Sequence, residues 1–217
     1  MGDPARKTEL FDRVARVGKA LGSGKRLELL DLLAQGERSV EALARAAGLG
    51  LTTASAHLQI LKQAGLVATR RDGTRIHYRL ADAEVADLYA RLRDVAAAHL
   101  ADVDAASRAY LGPSEEGISR DELLRRARSG DVVVLDVRPV EEYAAGHIAG
   151  AVSIPVDELA ERIAELPEGV EVVAYCRARF CVFAHDAVRL LATHGRPARR
   201  LEDGMLEWRL AGLPVAA

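Results

Sequence analysis

Both cysteines of the 217-residue chain lie in VVAYCRARFCVFAHDAVRLL (172–191), with four residues between them. One short thiol pair cannot staple a chain of this size, so packing and chemistry are the competing explanations. Cys176 ends an apolar run that reads as a strand, and RARFC then leads into the start of a helix. A loop of this kind aims backbone N–H groups inward and adds the positive end of a helix dipole, and both favour a thiolate. A free thiol titrates near ~8.5 and falls to ~3.5–7.5 in such surroundings. Arg177 and Arg179 add positive field and are placed to hold an anionic sulfur donor. Cys181, beside Val182 and Phe183, suits inert packing by itself. Cys176, at a strand end and followed by arginines, does not, so a reactive thiolate is expected there.

The surrounding sequence must position that strand end. VVVLDVR (132–138), AVSIP (151–155) and EVVAYC (171–176) read as buried strands, with helical DELAERIAEL before the third and helical CVFAHDAVRLLATHG, closed by Gly195, after it. Strands alternating with helices predict a parallel α/β sheet whose reactive groups gather at the carboxyl ends of its strands.

The first half of the chain is different. LFDRVARVGKAL places Leu10, Val14, Val17 and Leu21 on one helical stripe, and KRLELLDLLAQG is a second helix ended by Gly36. SVEALARAAGLGLTTASAHLQILKQAGLV then predicts helix, glycine turn, helix, with Ser39 as N-cap, Gly48 and Gly50 in the turn, and Thr52 or Thr53 opening the second helix. Ala54, Leu58 and Leu61 form its buried stripe, so Thr52, Thr53, Ser55, Ala56 and Gln59 face outward, with His57 and Lys62 on the same helix. Short polar groups at a helix N-terminus suit reading of a DNA major groove. VATRRDGTRIHYRL follows as two alternating strands joined at Asp72-Gly73. Arg70, Arg71, Arg75, His77 and Arg79 decorate that hairpin, as expected of a wing touching phosphates.

The chain is expected to divide near AYLGPSEEGIS, where Gly, Pro, Ser and paired Glu interrupt a helical pattern. The expected organisation is a mainly α winged helix-turn-helix domain over 1–108, a linker over 109–117, and an α/β domain over 118–217. Residues 1–108 carry 17 Lys/Arg against 14 Asp/Glu, and the remainder carries 13 against 18, so the two halves are expected to do different work. Aromatic content of 4% argues against a base-stacking single-strand binder. With no membrane-length apolar run, no apolar signal segment in MGDPARKTEL and only two cysteines, a reducing cytoplasm is the expected compartment.

Residues ~8–100 resemble the winged helix-turn-helix repressors of the ArsR (arsenic/metal-responsive) family, on S-A-H-L-Q-I-L-K-Q-A-G-L-V and the R-R-D-G-T-R wing. The resemblance implies a homodimer built on the first and last helices, the last being 82–107 with Val85, Leu88, Leu92 and Val95 as its stripe. Where metal-sensing members place a cysteine pair at the start of the first motif helix, this chain has Ser39 and Glu41, and His99 stands alone on the terminal helix. The domain is therefore expected to bind DNA and to sense nothing itself.

The second half, ~117–214, resembles a rhodanese (sulfurtransferase) domain. Asp136-Val137-Arg138, Glu142-Tyr143 and the run Gly146 to Ala151 match the first signature, with Ala149 where proline is usual. Cys176-Arg177 opens the active loop, and Glu202-Asp203-Gly204 with Glu207-Trp208 matches the closing signature. His147 is scaffold in this family. The resemblance implies that Cys176 takes a sulfane sulfur as a persulfide and passes it on. Arg179 replaces the usual loop glycine, and Cys181 stands where the family ends its loop in Arg, Thr or Ser. Cys181 is thereby a second thiol poised to resolve a persulfide at Cys176.

The function expected is a dimeric transcriptional regulator that binds double-stranded operator DNA and senses reactive sulfur at Cys176, Arg177, Arg179 and Cys181. Its partners would be a second copy and a small sulfane-sulfur donor, with no membrane, no metal and no cofactor beyond the persulfide. The rivals are a sulfurtransferase enzyme with an attached DNA-binding domain, and a thiol sensor for arsenite or another soft metal.

Overall fold

The structure is a computed structural model that describes residues 3–112 and 117–217. It forms two compact units, one ending at Tyr89 and one beginning at Ala90. The division falls before the linker expected at 109–117. Residues 109–111 of that stretch are helical, and 113–116 lie outside the described residues.

In chain order the first unit contains α1 (Pro4–Leu21), α2 (Gly24–Gln35), β1 (Arg38–Ser39), α3 (Val40–Ala46), α4 (Leu51–Gln63), β2 (Val67–Asp72), β3 (Arg75–Leu80) and the start of α5 (Ala83–His99). Ser39 caps α3 as expected, its side chain accepting the Ala42 N–H at 3.2 Å. Helix α4 begins at Leu51 behind Gly50, slightly earlier than Thr52 or Thr53. Its Ala54, Leu58 and Leu61 are fully buried, as are Leu29 and Leu30 of α2 and Leu43 of α3, the helices it packs on, each buried leucine contributing about 1.5–3 kcal/mol. The strands pair in the order β1-β3-β2, all antiparallel. Asp72 pairs with Arg75, so the wing turns on Gly73 and Thr74, one position later than expected. Gly73 takes φ +57, which favours glycine at the first position of such a turn.

One helical expectation is corrected. The continuous helix over 82–107 is broken at Leu100, whose extended backbone separates α5 from α6 (Ala101–Leu111). Both helices expected to pair in a dimer keep part of their apolar stripe exposed. Leu10, Phe11 and Val14 on α1, and Leu88 and Val95 on α5, are exposed, whereas Val85 is buried.

After α6 the second unit runs β4 (Gly117–Ile118), α7 (Arg120–Ser129), β5 (Val132–Asp136), α8 (Val140–Ala144), β6 (His147–Ile148), β7 (Val152–Ser153), α9 (Leu159–Arg162), a short 3-10 turn, β8 (Glu171–Tyr175), α10 (Phe183–Thr193), β9 (Ala198–Leu201), α11 (Met205–Leu210) and β10 (Val215–Ala216). Five strands make a parallel sheet in the order β4-β9-β8-β5-β7, with β8 central. The period of two along β8 sends Val172, Ala174 and Cys176 into one core cluster and Val173 and Tyr175 into another, so both faces are covered.

One buried group in this unit makes its stability depend on pH. His185, on α10, is 4% exposed and its Nδ1 finds no hydrogen-bond partner among the described residues. Burial, with Arg200 and Arg189 adding repulsion and Asp186 opposing, lowers its pKa from 6.5 to about 4. Because the folded value is depressed, the unfolded chain binds the proton first as pH falls. His185 thus costs no stability above about pH 6.5 and removes up to about 3 kcal/mol between there and pH ~4. Urea denaturation of wild type and His185→Gln at both ends of that window should show a shallower acid decline in the variant, and parallel declines would sink the assignment.

Candidate functional site

Cys176 follows the last residue of β8, at the carboxyl end of the central strand. Two side chains beneath it fix that end. Tyr175 donates its hydroxyl hydrogen bond to Asp136 and accepts the Ile148 N–H at 3.0 Å. Arg138 grips the same carboxylate from Nη2 at 2.6 Å and caps the Gly146 carbonyl at 2.9 Å. Asp136, Arg138 and Tyr175 are all 0% exposed. His147 stacks on Tyr143 with ring centroids 3.7 Å apart and places Nδ1 3.1 Å from the Tyr143 carbonyl, a scaffold role as the resemblance implied.

The loop from 177 to 182 is fastened in its first half. Arg177 makes a bidentate pair with the buried Glu142, Nη2 donating to Oε1 at 2.6 Å and Nε to Oε2 at 3.0 Å, and lies over the Phe183 ring. Met205 N–H donates to the Cys176 carbonyl at 2.9 Å, and Leu206 N–H to the Arg177 carbonyl at 3.0 Å. Gly204 lies directly under the loop, where a Cβ would come within 2.6 Å of the Arg177 carbonyl carbon. Arg177 therefore acts on the thiols as a field already balanced by Glu142, rather than as an open anion clamp. Arg179 is exposed, 3.9 Å from Asp94 in a loose surface pair.

The two cysteines are not bonded to each other; Cys176 is buried and Cys181 partly exposed. The Cys176 thiol reaches the Cys181 carbonyl at 3.3 Å. The direction of each thiol's shift runs opposite to the expectation of a thiolate at Cys176. Burial raises the Cys176 thiol well above its usual range, with Cys181 adding to the rise. Cys181 is lowered first by the hydrogen bond it receives from Cys176, then by Arg177 and by the backbone N–H groups of Arg177 and Phe183. Of the two, Cys181 is the thiol held toward ionisation and Cys176 the one held protonated. Backbone N–H groups reach both thiols, Arg177 and Phe183 at Cys181 and Ala184 at Cys176, but the strand's alternation turns Cys176 into the apolar core, where burial outweighs them.

In the first unit Thr52, Thr53 and Ala56 are exposed at the N-terminus of α4, and Ser55 is half-buried. Gln59 donates to the buried Tyr78 hydroxyl at 2.8 Å, Lys62 to Thr69 at 3.0 Å, and Arg70 to Glu37 at 2.8 and 2.6 Å. These three fasten α4 and the wing. Arg71 and Arg75 are exposed near the tip of the wing, and His57, half-buried, has an Nδ1 without a hydrogen-bond partner among the described residues. No group of three candidate metal ligands occurs among the described residues, and no described helix is long and apolar enough to cross a membrane.

Residues 23–69 match the bacterial regulatory protein arsR family, and residues 119–211 match the rhodanese-like domain. Over 214 residues, 99% of this chain and 95% of the relative, the sequence is 59% identical to the HTH-type transcriptional regulator Rv0324 of Mycobacterium tuberculosis. The chain is an ArsR-family transcriptional regulator with a C-terminal rhodanese domain. The regulator's second half is 32% identical to a sulfurtransferase of Allochromatium vinosum over 93 residues, 43% of this chain and 86% of that one. Its first half is 60% identical to a homodimeric winged helix-turn-helix DNA-binding domain from Mycobacterium bovis solved by solution NMR; the match covers 46% of this chain and 93% of that domain, with a TM-score of 0.43.

Sequence reading of the regulator overlooked Glu142 as the partner of Arg177, Gly204 as the seat of the loop, and Arg93. Glu142 and Gly204 lie inside the quoted signatures, so their presence was visible and their contacts were not. Arg93, on α5, is 7% exposed and ion-paired with Glu207. An arginine on an amphipathic helix reads as a solvated face, and no local pattern distinguishes a buried one.

Proposed function

We propose that the regulator binds operator DNA as a homodimer and changes its affinity when reactive sulfur bridges Cys181 and Cys176. The observation that carries this reading is the pairing of two free thiols in one loop: Cys181, partly exposed and favoured toward ionisation by Cys176 and Arg177, beside the buried Cys176, whose Sγ lies 3.3 Å from the Cys181 carbonyl. In the first step the Cys181 thiolate attacks the sulfane sulfur of a persulfide or polysulfide. A bond forms to Cys181, the donor's S–S bond breaks, and the electron pair leaves on the donor thiolate. A second transfer lengthens the chain by one sulfur. Cys176 then attacks the sulfur next to Cys181 and expels the outer one as hydrosulfide, which carries off the Cys176 proton. Two thiols are oxidised, one sulfur stays between them and one leaves as sulfide. The inserted sulfur relaxes the geometry that a direct disulfide in so tight a loop would demand.

The dimer reading rests on the exposed apolar residues Leu10, Phe11 and Val14 of α1 and Leu88 of α5, a surface a second copy would cover. Thr52, Thr53 and Ala56 are the base-edge candidates, with Arg71 and Arg75 on phosphates.

The test uses full-length protein and fluorescence anisotropy on a fragment of its own promoter. Sodium polysulfide is expected to shift operator affinity by about tenfold or more, with mass spectrometry showing a gain of one sulfur and a loss of two hydrogens. Iodoacetamide should label Cys181 before Cys176. Cys181→Ser and Cys176→Ser should each abolish the shift. Vigorous thiosulfate:cyanide turnover with operator affinity unmoved by polysulfide would defeat this reading and favour the enzyme.

A further inference from the structure

We propose that Arg93 couples the thiol loop to α5, so that bridging of Cys176 and Cys181 is transmitted to the helix that carries residues of both units. This rests on the sulfur-sensing reading above. Helix α5 begins in the first unit, where Val85 and Tyr89 are buried and Tyr89 Oη donates to Asp31 of α2 at 3.1 Å. Four residues after Tyr89, Arg93 is ion-paired with Glu207 and lies over the Phe180 ring, its guanidinium carbon 5.7 Å from the centroid. Glu207 uses its other oxygen to accept the Gly204 N–H at 2.9 Å, and Gly204 is the residue on which the loop rests. Asp94 meets Arg179 at 3.9 Å. A cavity of about 330 Å³ opens there, lined by Asp94, Ala97 and Val103 with Arg179 and Phe180.

The direction of transmission follows from what is fastened. A sulfur placed between Cys176 and Cys181 changes the separation of the loop's two ends. Cys176 and Arg177 are held by Met205, Leu206 and Glu142, and Ala178 by Gly204 and by its carbonyl bond to Cys181 N–H at 3.0 Å. The adjustment is left to Arg179 and Phe180, one exposed and one half-buried beside the cavity. Those two residues are the ones that touch α5. A cation over an aromatic ring and a buried ion pair are directional contacts, so a shift of Phe180 changes what holds Arg93.

The experiment compares full-length wild type, Arg93→Gln, Arg93→Lys and Phe180→Ala for sulfur uptake by mass spectrometry and for operator affinity with and without polysulfide. Arg93→Gln and Phe180→Ala should take up sulfur at the wild-type rate and bind operator within about threefold of the reduced wild type, while losing most of an about tenfold response. Arg93→Lys should recover part of the response. A full response in both Arg93→Gln and Phe180→Ala overturns the coupling, as does failure of Phe180→Ala to take up sulfur, which would make these contacts mere loop support. If Arg93→Gln does not fold, Phe180→Ala decides alone. Sulfur uptake in wild type with no change of affinity refutes the sensing reading instead, before the variants are considered.

Discussion

Replacing Arg138 with methionine is expected to destabilise the C-terminal unit by about 3–5 kcal/mol. The guanidinium and the Asp136 carboxylate are both 0% exposed and meet through Nε at 2.9 Å and Nη2 at 2.6 Å. Methionine fills much of the volume, so the loss is electrostatic. It leaves a buried carboxylate with the Tyr175 hydroxyl and the backbone N–H of residue 138. A domain's whole stability is about 5–15 kcal/mol, so a large part of it goes with one side chain. Trp208, the chain's single tryptophan and 1% exposed, lies in this unit and reports its unfolding in urea. Adding Asp136→Asn should recover part of the loss, since the uncompensated charge is then gone. A cost under about 1 kcal/mol would mean that the Asp136–Arg138 pair is not what fastens this strand end.

Gly204→Ala is expected to reduce formation of the sulfur bridge to less than about a tenth of wild type, at a stability cost of about 1–3 kcal/mol. The backbone there has φ −133, open to any residue, so space alone decides the outcome. A methyl group would press on the Ala178 amide and lie 2.5 Å from the Ala178 Cα. These are backbone atoms of the thiol loop and cannot rotate aside as a side chain could. The loop must move, and with it the N–H groups of Arg177 and Phe183 that favour the Cys181 thiolate. Mass spectrometry after polysulfide treatment measures the bridged product directly. Wild-type yield from the alanine variant would show that the loop tolerates displacement and that its geometry is not what activates the pair.

Several features of this regulator are written locally and were legible in sequence. The period of Ala54, Leu58 and Leu61 defines the buried side of α4, Ser39 caps α3, and the alternation in 67–80 makes the wing. The apolar runs at 132–136 and 171–175 are central strands because each is covered on both faces. Strand β9 was missed because ARRL is half polar and its Arg199 pairs with Glu171 and Glu122, which only the folded sheet brings near.

The site divides the same way. Residue type and spacing marked Cys176 and Cys181 as a reactive pair at a strand end, and two signature segments indicated the scaffold around them. Which thiol is favoured toward ionisation was decided by tertiary structure. Alternation turns the Cys176 side chain into the core, where desolvation raises its pKa, while the hydrogen bond from Cys176, Arg177 and the loop backbone lower that of Cys181. Similarly, sequence marks Gln59, Lys62 and Arg70 as exposed polar groups of α4 and the wing, and only the fold brings Tyr78, Thr69 and Glu37 to them. Local pattern determines which residues share a face, because helix and strand periods are properties of the backbone. What each charged or polar group meets on that face depends on residues far away in the chain, and only packing selects those partners.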